Sequence, residues 1–156
     1  MLQVIKAKPN PVGKDRRGRF LLSQTQLGGE WIDIKNIGTL NYPLKFIKIY
    51  HLAYTNGISK PALLKDFSRT IFNLVLPPGG VMRIHSGNGP ESLLLPIDKQ
   101  GANIHYFTRK NYVWNNDKTD KPMIYDSKNK KPIDNTYYDP FPGDGKILTR
   151  VGNKLI

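Results

Sequence analysis

Val113-Trp114-Asn115-Asn116-Asp117-Lys118-Thr119-Asp120-Lys121-Pro122-Met123-Ile124-Tyr125-Asp126 is the stretch on which the reading of this chain turns. An apolar pair, a polar run dense in Asn and Asp, and a second apolar run predict strand, turn, strand. Asn and Asp suit such turns because their short side chains hydrogen-bond the nearby backbone. Ser127-Lys128-Asn129-Lys130 predicts another turn, with Ile133 as the next apolar contact. Met123 to Tyr125 and Pro132 to Asp134 are then the arms of a hairpin.

The same pattern extends upstream. Leu2 to Lys8 reads as a strand that Pro9-Asn10-Pro11 ends, since proline cannot continue a hydrogen-bonded ladder. Val12 to Gly29 is polar and basic around Phe20-Leu21-Leu22 and predicts a long surface loop. In Glu30 to Asn36, Ile32 and Ile34 share one face while Trp31, Asp33 and Lys35 share the other, the alternation of a half-buried strand. Leu44 to Tyr54, rich in β-branched and aromatic residues, predicts a long central strand ending at Thr55-Asn56-Gly57. Pro61 to Lys65 predicts one helical turn. Thr70 to Leu76 and Val81 to His85 predict a hairpin closed by Pro77-Pro78-Gly79-Gly80. Leu93-Leu94-Leu95 is expected to return across the sandwich, Asn103 to Trp114 to carry one or two further strands, and Ile147 to Val151 to add a last one. Turn signals at roughly 8–12-residue intervals, without a helical period, point to an all-β sandwich.

A chain of 156 residues suits one domain with a real core. It contains no cysteine, which excludes disulfides and thiolate metal sites. No apolar run is long enough to cross a membrane as a helix, and Met1 to Lys6 lacks a basic segment leading into an apolar signal core. Compartment is left open. Lysine and arginine number 24 against 12 acidic residues, a net charge of +12. Such an excess attracts polyanions such as nucleic acid, anionic polysaccharide, anionic lipid or an acidic protein surface.

The order E-W-I-D-I-K-N-x-G (30–38), L-P-P-G-G-V-x-R-I (76–84), V-W-N-N-D-x-T-D (113–120) and I-Y-D (124–126) resembles the lamin tail domain family, especially its bacterial and archaeal branch. The resemblance covers Glu30 to Asp134, with a looser match over Asn10 to Leu27. Leu44-Lys45-Phe46-Ile47 stands where the family has Leu-x-Gly-Trp, and the loop after Tyr54 reads as longer than the family's. The resemblance implies an immunoglobulin-like β-sandwich with no catalytic role. It also implies binding to protein partners and chromatin, and kinship with prokaryotic domains often appended to extracellular or surface nucleases. The expected organisation is a first strand and basic extended loop (1–28), a sandwich core (29–136), and a C-terminal loop with an added strand (137–156).

Nothing in the sequence assembles a catalytic constellation. His51, His85 and His105 do not share a metal-ligand spacing, and no cofactor or small-molecule substrate is expected. Asp117, Asp120, Asp126, Asp134 and Asp144 depart from the calcium-loop pattern and have lysines beside them, so they read as turn formers. His85 and Ser86, at successive strand positions, face opposite ways and cannot pair as base and nucleophile. The expectation is a non-enzymatic binding module docking on an anionic partner, DNA first. Arg16, Arg17, Arg19, Arg109, Lys110, Lys128, Lys130 and Lys131 are its candidate contacts. The alternative is a subunit of a larger protein assembly, contacting partners through its loops, a sheet edge and the tail residues Phe141, Ile147, Leu148, Leu155 and Ile156.

Overall fold

The computed structural model describes residues 1–13, 24–69 and 73–156. It is an all-β sandwich. A six-stranded sheet carries, in order, β12 (Lys154–Leu155), β11 (Leu148–Val151), β1 (Leu2–Lys8), β2 (Trp31–Asn36), β7 (Val81–His85) and β8 (Ile104–Phe107). A four-stranded sheet carries β10 (Lys131–Asn135), β9 (Met123–Asp126), β4 (Ile47–Thr55) and β5 (Ile58–Asp66). The short β3 (Tyr42–Pro43) and β6 (Val75–Leu76) pair separately. Neighbouring strands run antiparallel except β7 and β8, which are parallel.

The sheets face each other through their apolar alternates. Val4, Ile32, Ile34, Met82 and Ile84 from one meet Ile47, Ile49 and Ile124 from the other, with Phe67, Trp114 and Tyr138 packed into the same core. Tyr138 donates its hydroxyl to the Asn115 carbonyl at 2.7 Å, which satisfies the polar end of a fully buried ring. A charged staple also joins the sheets. Asp134 on β10 accepts the Val4 N–H at 2.8 Å, beside the β1 bulge between Val4 and Lys6, and the Arg150 guanidinium of β11 at 2.7 Å.

Several elements differ from the sequence expectation. The central strand begins at Ile47, because Leu44–Phe46 forms a 3-10 turn. Pro61 to Lys65 is not helical but lies within β5, where the β4 pairing overrides local propensity. The loop after Tyr54 is a two-residue hairpin, with Thr55 opposite Ile58 and Asn56-Gly57 at positive φ (51° and 78°). The Pro77–Gly80 turn does not close a hairpin. It carries the chain from the small sheet to β7, and it docks by the Gly79 N–H on the Asn36 carbonyl (2.8 Å) and the Asn36 N–H on the Gly80 carbonyl (3.0 Å). Leu93–Leu95 lies between a 3-10 turn (Glu91–Leu93) and the short helix α2 (Pro96–Lys99) rather than in a strand. Of Asn103 to Trp114, only Ile104–Phe107 forms a strand; Val113 and Trp114 are buried without one. The stretch before β2 ends in a short helix, α1 (Gln24–Gly28), with Leu27 buried.

β2 is the largest departure from a half-buried strand. Its outward residues Trp31 and Asp33 are as buried as its inward ones, at 1% and 2% exposed. Arg83 of β7 lies opposite Asp33 and grips it with Nε to Oδ1 at 2.7 Å and Nη2 to Oδ2 at 2.8 Å. The guanidinium stacks 3.7 Å from the Trp31 ring and donates through Nη1 to the carbonyls of Asp98 and Gln100. Asp98 on α2 takes Lys8 Nζ at 2.5 Å and Trp31 Nε1–H at 2.8 Å. Apolar alternation signals one buried face. The second face is buried by paired charges, which leave no hydrophobic trace.

Breaking such a pair from one side strands a charge away from water, at a cost of about 3–5 kcal/mol. Arg83→Met is expected to lose that much stability in urea unfolding, and the double variant Arg83→Met/Asp33→Leu to lose clearly less. A loss near zero for the single variant would contradict the account.

Candidate polyanion-binding site

The outer face of the four-stranded sheet follows from strand alternation. In β4, Ile47 and Ile49 point into the core, so Lys48 and Tyr50 point away from it. In β9, Ile124 points inward and Met123 and Tyr125 outward. Register then sets Lys48 opposite Tyr125, Tyr50 between Met123 and Leu63, and Tyr125 beside Pro132. The Tyr50 and Tyr125 rings meet edge to face, centroids 6.4 Å apart at 84°. A groove of about 240 Å³ opens here, walled chiefly by these two rings, Pro61, Met123 and Pro132. Asp134 also lines it, but its carboxylate is held by Arg150 and the Val4 N–H.

A corner of positive charge adjoins the groove. The turn after β9 is built on Asp126, which accepts the N–H groups of Lys128 (2.8 Å) and Asn129 (3.1 Å) and the Asn129 side chain (2.6 Å). Burial opposes ionisation of Asp126, but those hydrogen bonds outweigh it and bring its pKa below the ordinary 3.8. Ser127 fastens the turn to the Leu44–Phe46 segment by donating its N–H and hydroxyl to the Phe46 carbonyl, both at 2.8 Å. Lys45 and Lys128 lie over the Phe46 ring at 4.9 and 5.5 Å from its centroid. Lys45, Lys48, Lys128, Lys130 and Lys131 thus gather at one end of the sheet. Lys48 pairs with Asp66 at 3.3 Å, and the other four form no ion pair with a described residue.

The residues singled out from sequence separate into groups. Lys128, Lys130 and Lys131 are exposed and belong to this corner. Arg109 is exposed at the opposite edge of the same sheet, donating to the Leu63 carbonyl of β5 at 3.1 Å. Three strand spacings, about 14 Å, separate the two edges. Lys110 is exposed beside Arg109. Arg16, Arg17 and Arg19 lie outside the described residues. Sequence reasoning did not pick out Lys45, Lys48, Phe46 or Tyr50; the alternation in Ile47-Lys48-Ile49-Tyr50 was the available signal.

The tail residues divide. Phe141 is 77% exposed and Ile156 52%, and Ile147 is half-buried. Leu148 and Leu155 are not contact residues: at 4% and 1% exposed they belong to the core, because β11 pairs with β1 and β12 with β11.

Of the acidic turn residues, Asp120, Asp126 and Asp134 serve the fold. Asp120 Oδ1 accepts the N–H groups of Leu52 and Lys121 at 2.7 Å, and Oδ2 accepts the N–H and side-chain amide of Asn115 at 2.9 Å. That cluster ties the 113–121 run to β4. Ser86 donates its hydroxyl to Glu30 and does not meet His85. Among the described residues no group of three His, Asp or Glu side chains is arranged to hold a metal ion.

Two histidines do come together. Parallel pairing of β7 and β8 places Arg83 opposite His105 and stacks His85 between His105 and Phe107, with centroids 5.2 and 4.9 Å away. His85 Nδ1 lies 2.5 Å from the Gly28 carbonyl, which only accepts, so Nδ1 carries the proton. Its Nε2 then accepts from His105 Nδ1 at 2.9 Å. Burial depresses the His85 pKa to about 3, with His105, Arg83 and Lys8 adding positive charge nearby. Burial lowers His105 as well. In comparison with known proteins, the chain matches no family model and no curated relative.

The sign of the pH dependence follows. The unfolded histidines bind protons below their ordinary pKa of 6.5, while folded His85 stays neutral to about 3, so stability falls as pH drops through that window. Thermal unfolding should show a Tm that falls between pH 6.5 and 4.5, as His85 removes up to about 1.4 kcal/mol of stability per pH unit. His85→Gln should be less stable at pH 7 and show a shallower slope. An unchanged slope would contradict the assignment.

Proposed function

We propose that the protein is a non-catalytic module that binds a polyanion, DNA being the first candidate, through the Lys45/Lys128/Lys130/Lys131 corner and the adjoining sheet face. The observation that carries this reading is the gathering of four exposed lysines on turns fastened by Asp126 and Ser127, with one carboxylate among them, Asp126, which lies opposite Lys131 and is occupied by the N–H groups of Lys128 and Asn129. A patch of this kind, on a backbone already in place, releases counterions from a phosphate or sulfate backbone at the cost of ordering the lysine side chains alone. The lamin-tail resemblance supports a binding role without catalysis. Proline on β10 and on β5, both outer strands of the four-stranded sheet, makes strand addition there a weaker alternative.

The test is fluorescence anisotropy with a DNA duplex across a salt series. Replacing Lys128, Lys130 and Lys131 together by Gln should flatten the log–log salt slope by about 2–3, at about 0.9 per lost phosphate contact. These side chains are exposed, so unfolding should shift by no more than about 1 kcal/mol. An unaltered slope would overturn the assignment of this corner.

A second reading, docking within a protein assembly, is favoured by Phe141. Its ring is exposed although its backbone is fixed at positive φ (60°) by an N–H bond to the Asn116 carbonyl at 2.6 Å. Removing the whole tail would strip Leu148 and Leu155 from the core, so Phe141→Ser is the cleaner probe. If assembly is the role, that variant should shift the protein to a smaller species on sizing while its unfolding curve stays put. An identical elution volume would count against it.

A further inference from the structure

We propose that the preferred polyanion is a single-stranded nucleic acid, with at least one base stacked on the Tyr50/Tyr125 face while its backbone runs to the lysine corner. The inference rests on the polyanion reading and adds the class of ligand. Its basis is the adjacency of two features that bland packing does not require together. The first is an outward-facing pair of aromatic rings, walled by Pro61, Met123 and Pro132, with a volume of about 240 Å³. The second is the lysine turn that begins immediately after Tyr125 and Asp126.

The dimensions and chemistry agree with such a ligand. Tyr125 is separated from Lys128 by two residues of a tight turn, and Lys48 lies directly across from Tyr125 on β4. Strand and turn spacings of about 3.4 Å per residue put charge within about 10 Å of the rings. A base has a π face that stacks on an aromatic side chain whatever its identity, and its phosphates supply the anionic partner for the lysines. In a duplex the base faces are hidden in their own stack, so the groove would be idle. In heparin there is no flat π face to stack. Proline at both walls fixes the backbone locally, so the groove exists before binding.

The experiment uses the full chain and four probes of similar charge at one salt concentration: a labelled oligodeoxythymidine, an abasic phosphodiester oligomer of equal length, a DNA duplex and heparin. The variants are Tyr125→Phe, which keeps a π face, and Tyr125→Leu, which keeps an apolar side chain without one; Tyr50 is treated likewise. The oligodeoxythymidine should bind at least about 5-fold more tightly than the abasic oligomer. Tyr125→Leu should weaken it by about 5- to 100-fold, leave the abasic oligomer within about twofold, and be largely restored in Tyr125→Phe. Unfolding curves identify any variant that fails to fold, and the comparison of oligodeoxythymidine with the abasic oligomer on the unchanged protein then still decides. Equal binding of the base-bearing and abasic oligomers, or indifference to Tyr→Leu at both positions, overturns the stacking inference while leaving the polyanion reading standing. Heparin binding that weakens in the Tyr→Leu variants as much as oligodeoxythymidine binding overturns the choice of nucleic acid. Absent binding of all four probes overturns the polyanion reading, and this inference with it.

Discussion

The bidentate grip of Arg83 on Asp33, laid over Trp31, is the constraint on which the rest of the architecture depends. It buries the outer face of β2, draws α2 down through the Asp98 and Gln100 carbonyls, and places Asp98 to receive Lys8 and Trp31. A charge pair removed from water is stable only when its remaining donors and acceptors are also met. Arg83 meets that condition through the loop it holds. The parallel β7–β8 pairing beside it then forces His85 and His105 into one stack, and the neutral state of His85 becomes part of the stability of the fold.

That constraint gives the two sheets different roles. The six-stranded sheet has its outer face covered over β2 and β7, by α2 and by ionic groups that are almost wholly buried, while Lys6 on β1 and Thr149 and Val151 on β11 are exposed. The four-stranded sheet presents its outer face, and there the side chains are Lys48, Tyr50, Met123 and Tyr125. The cations divide the same way. Lys8, Arg83 and Arg150 are spent on Asp98, Asp33 and Asp134 within the fold. Lys45, Lys128, Lys130 and Lys131 share a single nearby carboxylate, Asp126, and form no ion pair with a described acid. A net charge of +12 therefore says little by itself about a binding surface, whereas the distribution of unpaired lysines does.

Much of the sandwich was legible in the chain. β1 begins and ends where Leu2 to Lys8 and Pro9 predict, and the β9–β10 hairpin turns where Asn129 and Lys130 do. Those signals are local. What was not legible depended on distant partners. Pro61 to Lys65 has no strand alternation of its own, and only β4 makes it a strand. The Pro77–Gly80 turn looks like a hairpin, yet β6 pairs with β3 and leaves the turn to bridge sheets. Leu148 and Leu155 read as a sticky tail until β1 is placed beside them. The candidate site was half visible. Lys128, Lys130 and Lys131 announce themselves as a run, but Lys48 and Tyr50 join them only through the β4–β9 register, and Lys45 only through the Ser127 bonds to the Phe46 carbonyl. The immunoglobulin-like character implied by the resemblance goes further than the two-sheet architecture itself.

The central claim is that the open face and lysine corner of the four-stranded sheet form the binding surface. Backbone amide chemical-shift mapping on the full chain, titrated with a short oligodeoxythymidine, tests it most directly. The account predicts perturbations concentrated in residues 45–50 and 123–131, with β2, β7 and α2 unmoved. Perturbations centred on residues 139–156, or spread evenly over every exposed lysine, would contradict it.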